Sequence, residues 1–356
     1  MSGSGGEIVG AVGAAGAGGT GGSDSSSFGD VAGDRYDVVI IGGGPAGLST
    51  GLNLVRARRR VLILDSNRPR HSATLVSHGF LTRDGVSPLE LRALGREEFA
   101  GYPTAEFHQG LVDSVTPSAS SAPAASPSSS SPTSAGADDF TITSRGVRGS
   151  ADRVVTAPVV VLANGLAETL PALPSIRAYY GTSLHSCIEC DSFEKSGQPL
   201  ALIGTTADLA ERAVLISQVT DDLVVFTNAS PDAVTPAEEA ALAGRGIGVE
   251  RRPIADVVGD RSGLTGVVLE DGTTIPRTGG FVRPLWSVPL DFADALELAV
   301  DGEGHVVVDD RGATSVPGVY AVGDITPPGS QQLIVAAGAG ARTAAAVNRH
   351  LLGPLL

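Results

Sequence analysis

Apolar residues fall along this chain in short unbroken runs, separated by glycine, proline and charge. Val38-Val39-Ile40-Ile41, Val61-Leu62-Ile63-Leu64, Val159-Val160-Val161-Leu162-Ala163, Leu200-Ala201-Leu202-Ile203 and Leu223-Val224-Val225-Phe226 are the clearest. Runs of this length predict strands of a parallel sheet buried on both faces. The chain is expected to cross back near Gly280-Phe281-Val282, and further strands are expected over 306–308 and 319–322. Phe140-Thr141-Ile142-Thr143 alternates instead and predicts a half-buried strand. Between these runs lie stretches that predict helices from Pro45 to Val55, from Ala207 to Gln218 and from Leu333 to Leu351. Two βαβ patterns, one nested in the other, give an α/β fold of two Rossmann-like domains, with no tandem repeat of fixed period.

Two stretches carry no such pattern. Residues 1–34 are Gly, Ala and Ser with almost no large apolar side chain, and are expected to form a disordered tail. Residues 116–138 are Ser, Pro and Ala, too long for a loop inside a compact domain, and read as a disordered insertion. Leu170-Pro171-Ala172-Leu173-Pro174 is a stiff connector and a plausible hinge. The expected division is a first nucleotide-domain segment over 35–170, a second domain over 171–280, and the return of the first domain over 281–356.

Composition narrows the function. With 25 Lys and Arg against 39 Asp and Glu, the formal net charge is −14. That argues against a nucleic-acid partner and against docking on an anionic membrane. No run reaches the roughly 18 apolar residues of a membrane span, and no secretory signal opens the chain, so a cytoplasmic protein is expected. The two cysteines, Cys187 and Cys190, are too close together to staple a secreted fold.

Gly42-Gly43-Gly44-Pro45-Ala46-Gly47 is G-x-G-x-x-G directly after the first strand. Gly42 permits a tight turn, Gly44 lets the backbone approach a pyrophosphate, and Gly47 lets helix and strand pack closely. The helix that Pro45 and Ala46 open offers free N–H groups and a positive dipole end to phosphate. Asp65 ends the second strand, where a carboxylate suits ribose hydroxyls. Strand, glycine turn, helix, second strand and acid together point to a dinucleotide.

Cys187-Ile188-Glu189-Cys190-Asp191 holds two cysteines spaced by two residues. Such a pair forms an easily reduced disulfide, and a helix start lowers a thiolate pKa. A half zinc site or two core cysteines are the alternatives. A zinc site needs four ligands, and neither a second Cys pair nor a cluster among the six histidines supplies them. Asp191 suits a proton relay or a helix cap, Glu189 places negative charge beside the sulfurs, and His78 and His185 are weaker relay candidates.

Near the C-terminus, Val319-Tyr320-Ala321-Val322-Gly323-Asp324 is an apolar strand ending in Gly-Asp, followed by Gln331-Gln332 at a helix start. The order of glycine turn, Cys-x-x-Cys, Gly-Asp and glutamines resembles low-molecular-weight thioredoxin reductases over about residues 36–352. The resemblance implies FAD, with Asp324 on its ribitol chain and the backbone of Gln332 at its ring. It further implies Cys190 facing the flavin, Cys187 exchanging with substrate, Asp191 as the acid following the pair, and a homodimer.

That family also binds NADPH at a second glycine turn, expected after Ile203. Gly204-Thr205-Thr206-Ala207-Asp208-Leu209-Ala210 keeps only the first glycine, puts Asp208 near the phosphate position, and is followed after the next strand by Thr227-Asn228-Ala229 with no arginine. A flavin and a dithiol without this site resemble the thioredoxin reductase-like dithiol oxidases that close disulfides in gliotoxin, holomycin and romidepsin. The segments Arg68-Pro69-Arg70 and His78–Gly85 are similar to that wider group and are expected near the flavin. The resemblance implies oxidation of a small-molecule dithiol, with molecular oxygen as acceptor and hydrogen peroxide as product. The alternatives are an NADPH-dependent disulfide reductase, a reductase fed by ferredoxin or a flavin donor, and a non-catalytic FAD-binding regulator.

Overall fold

The structure, a computed structural model, describes residues 35–118, 139–327, 329 and 331–354. The expected tail over 1–34 and the expected insertion over 119–138 lie outside the described residues. Residues 116 and 117 are described and correct one boundary: Thr116 and Pro117 pair with Thr141 and Phe140, so they belong to a strand.

In chain order the first domain opens with β1 (Val38–Ile41), α1 (Pro45–Arg56), β2 (Val61–Asp65), α2 (Pro88–Ala100), β3 (Ala105–Pro117), β4 (Phe140–Gly146), β5 (Arg153–Ala157) and β6 (Val159–Leu162). A crossing strand β7 (Ala167–Thr169) leads to α3 (Ile176–Tyr179), β8 (Leu184–His185), α4 (Ile188–Asp191), β9 (Leu200–Ile203), α5 (Leu209–Ile216), β10 (Leu223–Phe226), α6 (Pro236–Ala243) and β11 (Gly248–Glu250). A meander of β12 (Ile254–Asp260), β13 (Gly263–Leu269) and β14 (Thr274–Pro276) precedes β15 (Gly279–Val282). The chain returns through β16 (Leu285–Ser287) to β17 (Val319–Ala321) and α7 (Leu333–Leu352).

The first sheet has the order β17-β6-β1-β2-β3-β4-β5, parallel from β17 to β3 and antiparallel beyond. The second is parallel in the order β11-β10-β9-β15-β8. The fold is thus the two-domain α/β arrangement read from the sequence. Two expectations change. Strand β15 lies inside the second sheet, between β9 and β8, so the chain crosses back at Arg283–Ser287 rather than near Gly280. Residues 306–308 form no strand: Val306 donates to Ile325 and Val307 to Ala299, so neighbouring residues bond to different segments and no ladder continues.

The unbroken apolar runs follow from burial on both faces. In β1, Val38 and Ile40 pack beneath α1, α2 and α7, with Leu54, Phe99 and Val347. Val39 and Ile41 face the opposite way, onto Val112, Phe140 and Ile142 of the antiparallel strands. In β9, Leu200 and Leu202 meet α5 and α6, while Ala201 and Ile203 meet the β12–β14 meander. Period-two alternation is present in space but invisible in hydrophobicity, because both partners are apolar.

Helices α1 and α7 cross closely. A Cβ on Gly340 would lie 2.3 Å from the Ala46 carbonyl oxygen, and the Thr50 hydroxyl is 3.2 Å from the Gly340 carbonyl. This contact brings the start of α7 beside the glycine turn. We expect Gly340→Val to cost about 1–3 kcal/mol or more by forcing the helices apart. Gly338→Ala, whose Cβ meets nothing within 4 Å, should instead stabilise by about 0.5–1 kcal/mol. Denaturant titration of the two variants checks the pair.

Candidate active site

The glycine turn separates its tasks among its residues. Gly42 has φ +109°, and a Cβ there would stand 2.2 Å from the Ala163 carbonyl oxygen. A Cβ on Gly47 would stand 1.9 Å from the Gly42 carbonyl oxygen. Both glycines are therefore demanded by packing. Gly44 differs: a Cβ there would meet no protein atom within 4 Å, because the residue borders a cleft of about 500 Å³. Pro45 sets the first turn of α1, which has no side-chain cap and no acidic residue there. Helix α7 likewise begins at the cleft with no side-chain cap and no acid in its first turn, next to Gln331 and Gln332. Two helix N-termini with free N–H groups thus meet an open cradle, and that arrangement fits a dinucleotide.

Every expected cofactor residue except Gly47 lines this cleft: Gly42, Gly44, Pro45, Ala46, Asp65, Gly323, Asp324, Gln331 and Gln332. Gly47 lies behind it, in the packing of α1 on β1. Asp65 is buried, and its Oδ2 accepts from Arg92 at 2.8 Å and Arg96 at 2.6 Å. Oδ1 accepts from none of the described residues. Asp324 receives Arg70 Nη2 at 2.7 Å. The Arg70 guanidinium also lies 4.8 Å from the Trp286 ring centroid and 3.9 Å from Glu168. Arg68, Pro69 and Arg70 all border the cleft, and His78 borders the smaller cavity below.

Cys187 and Cys190 are joined by a disulfide at the start of α4. They line a second cavity of about 70 Å³ that shares Arg70, Gln331 and Leu333 with the main cleft. The structure thereby places this disulfide against the cleft wall. Asp191 is buried beside it, with Oδ1 3.0 Å from His185 Nδ1. His185 Nε2 is 2.7 Å from the Thr182 carbonyl, which can only accept, so the Nε2 proton is fixed there and Nδ1 faces Asp191. His78 instead lies between Asp84 and Glu194, at 3.5 and 3.4 Å. Glu189 stands 3.9 Å from Cys187 Sγ.

The second turn, Gly204–Ala210, is filled by the protein itself. A Cβ on Gly204 would meet Leu209 Cδ2 and Arg283 Cβ, each at 2.8 Å, and Leu209 is fully buried. Asp208, at the N-terminal end of α5, accepts from the Thr206 hydroxyl at 2.6 Å and from Arg283 Nε at 2.7 Å. Burial works against this carboxylate, but the Thr206 hydrogen bond and the Arg283 charge outweigh it and hold its pKa below the usual range. The carboxylate thus lies at the N-terminal end of α5, the end of a helix that otherwise favours an external anion.

Sequence reasoning missed Arg92, Arg96, Arg283 and the Glu168–Tyr180 pair. Arg92 and Arg96 carried a signal, being one turn apart on a single helix face. Arg283 carried none, since only the packing of β15 beside β9 brings it to Asp208.

These features define a two-domain flavin-type disulfide oxidoreductase, and the comparisons place the chain. Residues 36–341 match the family model for pyridine nucleotide-disulphide oxidoreductase. The chain belongs to that family. It is similar to the solved structure of HlmI, with 34% identity, a TM-score of 0.78, and 91% of this chain and 94% of that one covered. It is also similar to thioredoxin reductase from Aquifex aeolicus, 28% identical over 89% of this chain and 94% of the relative. Thioredoxin reductase sirT from Leptosphaeria maculans is 25% identical, over 89% and 95%.

Gly44→Val should place two methyl groups in the cradle without touching the fold. We expect native circular dichroism but little or no flavin absorbance near 450 nm, whereas Gly44→Ala should retain part of it. The ratio of visible to 280 nm absorbance is the measurement.

Proposed function

We propose that this chain is an FAD-dependent dithiol oxidase. It would close an intramolecular disulfide in a small-molecule dithiol and pass two electrons and two protons to molecular oxygen, giving hydrogen peroxide. One observation carries the reading: the second nucleotide turn is occupied by Leu209 and by the Asp208–Arg283 ion pair, while the first cleft remains open. A disulfide beside a dinucleotide cleft, with the second turn closed to a nicotinamide, favours entry of electrons through the disulfide. The resemblance to dithiol oxidases supports the same direction of flow. A cytoplasmic homodimer belongs to this reading, and light scattering tests the assembly.

The residues divide the work. A substrate thiolate attacks Cys187 Sγ, the Cys187–Cys190 bond breaks, and a mixed disulfide forms. The second substrate thiol displaces Cys187, leaving both cysteines reduced and the product ring closed. Asp191 and His185, facing each other beside Cys190, are placed to hold the protons released as thiols ionise. FAD, when bound, would supply the two-electron chemistry that returns the pair to a disulfide with oxygen as final acceptor. Gly44 and the α1 N-terminus would hold its pyrophosphate, Asp65 Oδ1 its ribose, and Asp324 its ribitol chain, with Arg70 orienting that carboxylate.

A second reading, disulfide reduction with NADPH, is favoured by the names of the thioredoxin reductase relatives. Anaerobic stopped-flow separates the two. We expect a small intramolecular dithiol to bleach the flavin and oxygen to restore it with peroxide released. Micromolar NADPH should leave the flavin oxidised, since losing two charge-assisted bonds to phosphate weakens binding by on the order of a hundredfold or more. Rapid bleaching by NADPH would replace the oxidase reading with the reductase.

The cysteine roles are tested by colour. Both Cys187→Ser and Cys190→Ser should abolish turnover. A long-wavelength band should appear in Cys187→Ser, where the Cys190 thiolate is free against the flavin, and not in Cys190→Ser. The opposite pattern would reverse the roles.

A further inference from the structure

Helix α4 is only four residues long and has no side-chain cap, with Cys187 at its N-cap position. One turn of helix does not support itself, so the exchange cysteine must be held by what surrounds it. The preceding residue, Ser186, is gripped on both of its polar groups. Its hydroxyl lies 3.0 Å from the Tyr180 hydroxyl, which donates to Glu168 on β7 at 2.5 Å. Its carbonyl accepts from Arg212 Nη2 at 2.8 Å.

Arg212 comes from α5, the helix that follows the filled turn. Its other terminal nitrogen lies 3.9 Å from Asp208 Oδ2, the oxygen that Arg283 Nε holds at 2.7 Å. Asp208 is therefore shared between two guanidiniums, one locking the turn and one reaching the redox loop. The Arg212 side chain is about one-fifth exposed, and burial disfavours its charge, so the group is not a freely solvated surface cation. Helix α5, which follows the closed turn, thus directs a charged donor at the backbone carbonyl immediately before Cys187.

We propose that Arg212 is a positioning residue for Cys187: anchored on Asp208, it holds the Ser186 carbonyl and so presents Cys187, rather than Cys190, to the incoming thiol. This rests on the redox role of the pair in the preceding section, but not on the identity of the electron acceptor. It gives the closed nucleotide turn a task in the reaction instead of leaving it a relic. No bond to substrate is needed. Arg212 acts through the backbone, and its removal should alter which sulfur reacts and how fast, without emptying the flavin cleft.

The test compares wild type with Arg212→Met and Arg212→Lys in the full-length holoprotein. Flavin reduction by excess dithiothreitol under nitrogen should slow about tenfold in R212M, the loss expected for one charge-assisted hydrogen bond. R212K, which keeps a charged donor, should recover to within about threefold of wild type, with FAD content unchanged in both. In the fully reduced proteins, the ratio of iodoacetamide labelling at Cys187 to that at Cys190, read by peptide mass spectrometry, should fall in R212M and recover in R212K. This second readout needs neither oxygen nor a natural substrate. It stands even if dithiol oxidation proves wrong, whereas failure of dithiothreitol to reduce the wild-type flavin would count against the proposed function alone. Should R212M not fold, Asp208→Asn removes the anchor and should shift the labelling ratio in the same direction. An unchanged ratio and rate in R212M would overturn the proposal. So would equal losses in R212M and R212K accompanied by loss of FAD, because that pattern marks a purely structural group.

Discussion

A Cβ at position 42 would lie 2.2 Å from the Ala163 carbonyl oxygen, and one at position 47 would lie 1.9 Å from that of Gly42. These two backbone approaches set the geometry on which the rest of the molecule depends. They let α1 start immediately at the end of β1 and stay close to the sheet. They leave its first N–H groups facing the cleft rather than shielded by side chains. The α1–α7 crossing at Gly340 then brings a second uncapped helix start to the same place. The open cleft is the residue of close packing elsewhere, since tightly packed backbone leaves one face with nothing above Gly44.

The two nucleotide turns show how one topology takes opposite electrostatic states. At the first turn the helix end carries no acid and no cap, and its positive end is available to a ligand. At the second, Asp208 supplies the negative charge internally and Arg283 and Arg212 neutralise it. A phosphate arriving there would meet a carboxylate already bonded, with Thr206 standing where the first turn has Gly44. The second sheet is still needed. It carries the cysteine pair, and its parallel strands β8, β9 and β15 set that pair against the cleft wall.

Several contacts between the domains are made by charged and aromatic side chains. Strands β7 and β16, the two crossings, pair with Glu168 opposite Trp286. Arg70, which holds Asp324 in the first domain, and Arg283, which holds Asp208 in the second, lie 4.8 and 5.8 Å from the Trp286 ring centroid. Glu168 reaches Tyr180, and through it Ser186 beside Cys187. Burial pushes the pKa values of both Glu168 and Tyr180 upward, and the neighbouring Glu168 charge raises that of Tyr180 further.

What the sequence determined by itself was everything governed by near neighbours. The strands of β1, β2, β6, β9 and β10 follow from apolar runs, the turn at Gly42–Gly47 from glycine spacing, and the redox pair from two cysteines three positions apart. The departure of the second turn from the glycine pattern was equally legible, because missing glycines are a local fact. Only the tertiary structure decided how that turn was filled, that β15 inserts between β9 and β8, and that residues 306–308 bond to two different segments. It also assigned Arg92 and Arg96 to Asp65, Arg70 to Asp324 and Arg212 to Ser186. The reason is physical. Strand and turn propensities are set within a few residues of backbone. The partner of a long, flexible guanidinium is set by which distant strand or helix end lies within its reach, and no spacing along the chain encodes that.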